Sequence, residues 1–327
     1  MENTRKWRWG ANRWIVLACI ILMVIVAAAF MPVRPHIFVA PEKLSHEPLF
    51  TLPVIGDFYV TNTLTTMLIV YALVFILALA VRNGVRRGSL VPSGIVLLME
   101  WVVEVVYNMT ESTVGRHARK VFPFFMTILL VVLVSNLLAL VPGMESIGIL
   151  EPTSDHGNLV QQITPGIATV VNTEAHEGEQ GFALVPFFRG MSTDLNFTVA
   201  LALISVIMTQ VLGFQANGPG YILRFFNVRN LFTKPFFGAM DFLVSLLELI
   251  SEFAKILSFS FRLFGNMFAG MVLTFLIISM VPWFAPAMIM MFEFFIGLIQ
   301  AFVFGMLTMV FMSQAVAGHG DGEHEHA

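Results

Sequence analysis

Apolar runs too long for a soluble core constrain this chain more than any other feature. Residues 14–33, 61–81, 121–141 and 197–214 each form such a run. At about 1.5 Å of rise per helical residue, a run of roughly 18 or more matches a hydrocarbon layer about 30 Å thick. Two further stretches are longer still. Between Pro235 and Pro282 no proline interrupts a helix-permissive sequence, which corresponds to roughly 70 Å of helix, more than twice the bilayer core. Residues 285–316 pose the same problem. Ordinary tilt averages about 20° and absorbs only a modest excess, so this last pair is expected to form a long, strongly inclined antiparallel hairpin joined at residues 281–286. The expected fold is all-α: a polytopic membrane protein with about six membrane helices. A composition of 57% hydrophobic and 12% charged residues excludes a soluble domain, which must offer water a charged surface.

The distribution of charge orients these runs. Arg5, Lys6, Arg8 and Arg13 precede the first; Arg82, Arg86 and Arg87 follow the second; Arg116, Arg119 and Lys120 precede the third; Arg224, Arg229 and Lys234 follow the fourth. Clusters of lysine and arginine mark cytoplasmic loops, and this alternation places every cluster on one side. The opposite side receives residues 143–196, where Glu145, Glu151, Asp155, Glu174, Glu177 and Glu179 face a single arginine, Arg189. Both termini are then cytoplasmic if the first run is retained. A basic start, an apolar stretch and the small residues Ala27, Ala28 and Ala29 also describe a removable secretory signal, and both readings stand. Residues 93–108, with Glu100 and Glu104 at helical spacing, read as an amphipathic surface helix.

Five regions follow. Residues 1–60 hold the extra N-terminal membrane helix, or signal, and an external linker. Residues 61–142 hold two membrane helices and the amphipathic cytoplasmic connector. Residues 143–196 form the external acidic insertion, and residues 197–316 the ion-channel helices including the inclined hairpin. Residues 317–327 form a cytoplasmic tail with His319, His324 and His326 beside acidic residues. That tail is read as a solvated disordered end rather than a metal site. The only cysteine is Cys19, so an intramolecular disulfide is impossible. No glycine-rich phosphate loop, nucleophile–base pair or metal-ligand spacing is present, and no basic stripe suits nucleic acid. No catalytic residue, cofactor or metal is expected on this chain.

The chemistry resides in the hairpin. Glu248, Glu252, Lys255, Arg262 and Asn266 follow one another at spacings of 4, 3, 7 and 4, with Ser251 and Ser258 flanking the stripe they form. Glu248 is within pairing distance of Lys255, whereas Arg262 has no acidic neighbour on its own helix. A guanidinium near the bilayer centre costs at least about 2.5 kcal/mol and usually faces a bundle interior or water-filled cavity. Arginine keeps its charge where a buried lysine can lose its proton. Arg262 can therefore attract a carboxylate brought past it, but it will not itself relay a proton. A salt bridge inside a packed bundle is the bland alternative. Against it, Glu293 and Gln300 share a face of the last apolar run. Antiparallel packing brings Gln300 toward the level of Arg262, Glu293 nearer the outside, and Glu248 and Glu252 nearer the cytoplasm. Two acidic patches on opposite sides of a fixed positive charge describe two half-paths separated by a barrier. Asn136, Asp194, Asn196, Thr198, Thr209 and Gln210 are weaker signals, equally suited to caps and interhelical hydrogen bonds.

The run Ser260-Phe-Arg-Leu-Phe-Gly-Asn-Met-Phe-Ala-Gly270 resembles the signature of the ATP synthase subunit a family, and Leu298-Ile-Gln-Ala-Phe-Val-Phe304 resembles its last-helix motif. Similarity extends through Ser135-Asn-Leu-Leu-Ala-Leu-Val-Pro142, Thr193-Asp-Leu-Asn196 and Leu247-Glu-Leu-Ile-Ser-Glu252, covering about residues 50 to 316. The resemblance implies a stator packed against a ring of c subunits, with peripheral-stalk b subunits and the remaining ATP synthase subunits as further partners in a bacterial plasma membrane. It implies that Arg262 engages the ring carboxylate and blocks direct leakage, that Asn266 and Gln300 lie beside it, and that Glu248, Ser251 and Ser258 lie along the cytoplasmic half-channel. Proton is the expected ion, ATP chemistry belonging to other subunits. Where many relatives carry an acidic residue nine positions after the arginine and a histidine on the last helix, this chain has Met271 and Glu293, so Glu293 is expected to supply the outside carboxylate alone. A secondary transporter would show paired repeats with broken helices, which are not found. A purely structural anchor leaves the Arg262 stripe without a purpose.

Overall fold

A computed structural model describes residues 14, 16–18, 21, 25, 39–45, 47–53, 56–86, 94–153, 157–164, 167–174, 180–218, 220–221, 225, 235–280 and 285–317. Most of the first apolar run, the loop with Arg224, Arg229 and Lys234, the hairpin joint at 281–284 and the histidine tail lie outside the described residues. The described helices are α1 (Asn62–Arg86), α2 (Ile95–Val114), α3 (Ala118–Ala139), α4 (Leu195–Asn217), α5 (Pro235–Met280) and α6 (Ala285–Ala317). Among the described residues five helical runs are long and apolar enough to cross a membrane, one of them the stretch Ile95–Ala139, which takes in both α2 and α3. The polytopic, mainly helical expectation holds; a sixth crossing rests on the first run.

Helices α2 and α3 meet at a sharp bend, which brings the Tyr107 and Phe122 rings to 5.3 Å between centroids, where fifteen residues of straight helix would hold them about 22 Å apart. A single turn of tighter helix, Gly115–His117, joins them, and Gly115 takes φ +59°, a left-handed conformation that suits glycine. The amphipathic helix expected over 93–108 thus continues six residues further. Its outer face carries Leu97, Leu98 and Trp101 as well as the two glutamates.

Helices α3, α4 and α6 form the centre, with α5 laid against α4 and α6, and α1 and α2 against α3. One apolar core joins Val121, Phe125 and Leu129 of α3 to Leu212 of α4 and Met309 and Met312 of α6. A second joins Ile128 and Val132 of α3, Leu201 of α4, Phe259, Leu263 and Met267 of α5, and Ala301 and Phe304 of α6. Because lipid tails are as apolar as leucine, helix association in a membrane depends on close packing and buried polar contacts. Both are present. Asn136, fully buried, donates to the Gly297 carbonyl at 3.0 Å and accepts from the Ser192 hydroxyl at 2.7 Å, tying α3 to α6 and to the turn before α4. Ser205 and Thr308 hydroxyls meet at 2.8 Å between α4 and α6, and Asn217 donates to the Ala315 carbonyl at 2.8 Å.

The hairpin has the predicted excess length. Helix α5 has 46 residues and α6 has 33, about 70 and 50 Å at 1.5 Å per residue, against a hydrocarbon layer of about 30 Å. Its outer face is bare: Phe242, Leu246, Leu247, Ile250 and Phe261 on α5, and Met291, Phe292, Phe295 and Ile299 on α6, are all exposed.

The sequence predicts no strand in the external insertion, but among the described residues the structure has four, in antiparallel order β3 (Gly148–Thr153), β6 (Gly181–Pro186), β4 (Asn158–Thr164), β5 (Ile167–Glu174). A smaller hairpin, β1 (Phe50–Leu52) with β2 (Gly56–Phe58), precedes α1. The reason is local. Residues such as Val160, Ile163, Thr169 and Val170 favour the pleated backbone, and the alternation in β6 buries Ala183 and Val185 on one face. Acidic residues concentrated at the strand ends obscure that pattern in a charge count.

Gly305 records how closely α3 and α6 approach, since a Cβ added there would come within 2.6 Å of the Phe125 ring. Gly305→Leu is therefore expected to destabilise the chain by about 1–3 kcal/mol through overpacking, visible as a lower unfolding midpoint in mild detergent. An unchanged midpoint would mean that the contact is not close-packed.

Candidate functional site

Two contacts set the register of the hairpin. Phe259 and Phe304 have ring centroids 5.1 Å apart, and Gly270 lies opposite Glu293, whose Oε1 would be 3.0 Å from an added Cβ. From Phe259 to Gly270 is eleven residues forward along α5, and from Phe304 to Glu293 is eleven residues back along α6. The helices therefore run antiparallel without slippage. The same register puts Gln300 at the level of Leu263, beside Arg262, and Glu293 about 10 Å further toward the hairpin joint.

Arg262 is half-buried on α5, and its Nη2 donates to the Ser258 hydroxyl one turn earlier at 3.2 Å. Asn266, Ser258 and Ser251 are exposed, and Gln300 is half-buried. Among the described residues Arg262 has no carboxylate partner, and Lys255 of this helix pairs with Glu252, Nζ to Oε1 at 2.6 Å. Lys255 also stands 4.5 Å from the centroid of the Phe311 ring, on the side of α5 that faces α6. Lys255 therefore pairs three residues back, with Glu252, and that pair turns inward. Glu248 is half-buried one turn further from Arg262.

Glu252 has a second environment. Its other oxygen, Oε2, is buried without a hydrogen-bond partner among the described residues, as is Gln210 Nε2 of α4. Both residues line an apolar cavity of about 620 Å³ between α4 and α5, together with Tyr221 and Phe253. The Tyr221 hydroxyl donates to Gln210 Oε1 at 2.9 Å. Asp194 caps α4, accepting from the Asn196 amide at 2.9 Å and from the Thr63 hydroxyl of α1 at 2.8 Å. Thr198 and Thr209 bond to backbone carbonyls of their own helix. Asp194, Thr198, Thr209 and Asn136 are thus caps, helix-backbone bonds and interhelical ties.

Glu293 occupies the space that Gly270 leaves open, and its Oε1 accepts from the Thr274 hydroxyl at 2.6 Å. It lines a cavity of about 60 Å³ with Met271, Thr274, Thr193 and Ala139. Met271 and Glu293 are neighbours across the hairpin in this sense. The cavity has room for about two water molecules at roughly 30 Å³ each. Its remaining acidic wall is Glu145, a residue that sequence reasoning counts only as one charge of the insertion. Its position three residues after Pro142, at the end of an apolar run, is the one signal that could have singled it out.

Behind Glu145 lies a buried charged group that charge counting also misses. Arg189 is 5% exposed, donating from Nη1 to the Ala40 carbonyl at 3.0 Å and from Nε to the Thr193 hydroxyl at 3.3 Å. Asn62 Nδ2 donates to Glu42 at 2.9 Å. Burial pushes the Glu145 carboxyl up to about 7, against the opposing pull of Arg189 and of the Gly190 amide, which donates to it; Glu293 and Glu42 add to the rise. Burial likewise pushes Glu42 up to about 7 against the pull of Arg189. Burial lowers the Arg189 guanidinium, with Glu42, Glu145 and Asp194 opposing. Carboxyls raised in this way hold protons that the unfolded chain releases between about pH 4.5 and 7. Their contribution to stability is present in acid and lost as the pH rises through that window.

The family described as ATP synthase A chain matches residues 63–313. ATP synthase subunit a of Moorella thermoacetica is 27% identical over 282 residues, covering 86% of this chain and 99% of that protein. ATP synthase subunit a of Mycobacterium tuberculosis is 29% identical over 271 residues, covering 81% and 89%, and that of Citrifermentans bemidjiense is 27% identical over 263 residues, covering 79% and 88%.

The inward pair on α5 makes a stability prediction. Lys255→Met leaves the Glu252 carboxylate buried without its cation, an expected loss of about 3–5 kcal/mol by denaturant titration in mild detergent. Adding Glu252→Gln should recover most of it. A Lys255→Met chain as stable as wild type would show that the pair is solvated.

Proposed function

The chain belongs to the ATP synthase A chain family, and from that premise we propose that it carries protons across the membrane as the stator of the membrane sector, with Arg262 as the barrier between two half-channels. Its partners are other ATP synthase subunits: a rotating ring of c subunits on the bare face of the hairpin, and peripheral-stalk b subunits. The membrane is the bacterial plasma membrane, with the basic loops cytoplasmic and, where the first helix is retained, both termini as well.

The observation that carries this reading is Arg262 itself. It is half-buried at mid-helix, beside the level of Gln300, with no carboxylate partner among the described residues and an apolar surface around it. A charge held so is compensated by water reaching it or by a counter-charge from another chain. A ring carboxylate supplies one transiently. At about 4 Å and an effective dielectric constant near 20, attraction to Arg262 is worth about 4 kcal/mol, enough to draw out an ionised carboxylate and to disfavour its protonation.

The cycle follows from the two flanks. From the outside, a proton reaches Glu293 through the cavity it lines and passes to a ring carboxylate, which is then neutral and can turn into lipid. After nearly a full turn the carboxylate meets the cytoplasmic flank, where Glu248, Ser251 and Ser258 offer polar groups along α5 and Glu252 lies behind them. There it loses its proton, and the ionised group is held by Arg262, with Asn266 and Gln300 at its sides. Arginine does not give up its proton at physiological pH, so no proton passes straight between the flanks. Net flow therefore requires rotation, and rotation drives ATP synthesis on other subunits.

In the assembled complex, Arg262→Ala is expected to abolish gradient-driven ATP synthesis while leaving the subunits associated, and Glu293→Leu to impair it severely. Synthesis by reconstituted vesicles and co-purification in mild detergent measure both. Unchanged proton pumping in Glu293→Leu would remove that residue from the path, and transport by this chain purified alone would reject the stator reading.

A further inference from the structure

We propose that Glu145, presented by the turn that opens the external insertion, is a second proton-carrying carboxylate of the outside path, receiving protons from outside and passing them through the shared cavity to Glu293. The inference rests on the reading of Glu293 given above and deepens it.

Three observations bring Glu145 to this role. The first is shared geometry. Glu145 and Glu293 are the two acidic walls of a cavity of about 60 Å³, whose other polar lining is Thr193 and Thr274. About two waters fit there, enough to bridge two carboxyls that do not touch. The second is placement. Glu145, six residues beyond the end of α3, sits on the turn Met144–Ser146, between the sheet of the insertion and the helix ends. It is thus the outer of the two groups, while Glu293 is held within the hairpin by Thr274. The third is a prepared environment for both charge states. Ionised, Glu145 accepts from the Gly190 amide and feels the Arg189 guanidinium; protonated, it is favoured by burial and by the nearby charges of Glu293 and Glu42. These opposing influences leave it able to gain and lose a proton near neutral pH, as a carrier must.

The step is a balanced proton transfer. Protonated Glu145 releases its proton to a cavity water, a proton from the water chain passes to the Glu293 carboxylate, and Glu145 is left ionised beside Arg189. A proton from outside then restores it. Arg189 is a positioning residue here. It is pinned by Ala40 and Thr193, and it faces Glu42 as well as Glu145. The insertion therefore has a function: its first turn carries the outer carboxylate, and the segment after its last strand carries the arginine that holds it.

The assembled complex tests this in reconstituted vesicles, by gradient-driven ATP synthesis against outside pH. Glu145→Gln, which keeps shape and the acceptor for Gly190, is expected to lower the rate at least about tenfold and to flatten the fall in rate as the outside pH rises through about 7. Glu145→Asp, which restores a carboxyl, should recover rate with that limb displaced. A loss of less than about tenfold in Glu145→Gln, with the wild-type pH profile, would overturn the proposal. Should Glu145→Gln fail to assemble, Glu145→Asp decides: a displaced limb supports the carrier and an undisplaced one overturns it. Glu293→Leu separates the two readings. If it abolishes synthesis while Glu145→Gln does not, only Glu145 is dismissed; if Glu293→Leu works normally, the path through Glu293 fails and this proposal with it.

Discussion

A guanidinium cannot be left in hydrocarbon, and most of this structure can be read as the consequence of placing one there. The cost at mid-bilayer runs from about 2.5 kcal/mol on insertion scales to more than 10 in simulations of an isolated helix. Ser258 offers Arg262 one hydrogen bond, which does not offset that. The remaining compensation has to come from water reaching the site or from a carboxylate on another chain. A helix of 46 residues, twice what a bilayer needs, lets polar groups on both sides of Arg262 reach toward water along one continuous element. The excess length thus belongs to the same requirement as the charge.

Precision in that arrangement depends on contacts remote from Arg262. Asn136 fastens α6 to α3 through the Gly297 carbonyl, one turn from Gln300 and one from Glu293. Phe259 lies against Phe304 and Phe311, and Ser260 bonds back to Ile256 of its own helix and lies 3.4 Å from the Thr198 carbonyl of α4. These contacts fix the hairpin register on the bundle side and leave the opposite face apolar and uncovered. The stator role proposed for this chain needs this division: one side rigid, the other smooth enough for a rotor to slide past.

How far this could be read from residues alone differs between the parts. The membrane helices, the overlong hairpin and the levels of Arg262, Gln300 and Glu293 follow from apolar run length and from spacing along a helix, both local quantities. The four-stranded sheet does not, because its charges mask the alternation in its strands. Glu145, Glu42 and Arg189 were equally hidden. In sequence they are scattered charges in polar segments, and only folding brings the half-buried Glu42 and Glu145 together with the buried Arg189 above the outer cavity. The inward turn of Glu252 and Lys255 was hidden for a different reason. A stripe of about 80° contains residues on both edges of a packed face, and neighbouring helices decide which edge is covered.

The claim at the centre is that the charge of Arg262 is an electrical barrier and not only a rotor contact. Proton flux through the membrane sector with the ring covalently tied to this chain, so that rotation is prevented, measures that directly. The account predicts no flux in the tied wild type and a measurable leak in the tied Arg262→Ala sector, where a ring carboxylate can exchange protons with both half-channels in place. A tied Arg262→Ala sector as tight as wild type would contradict it.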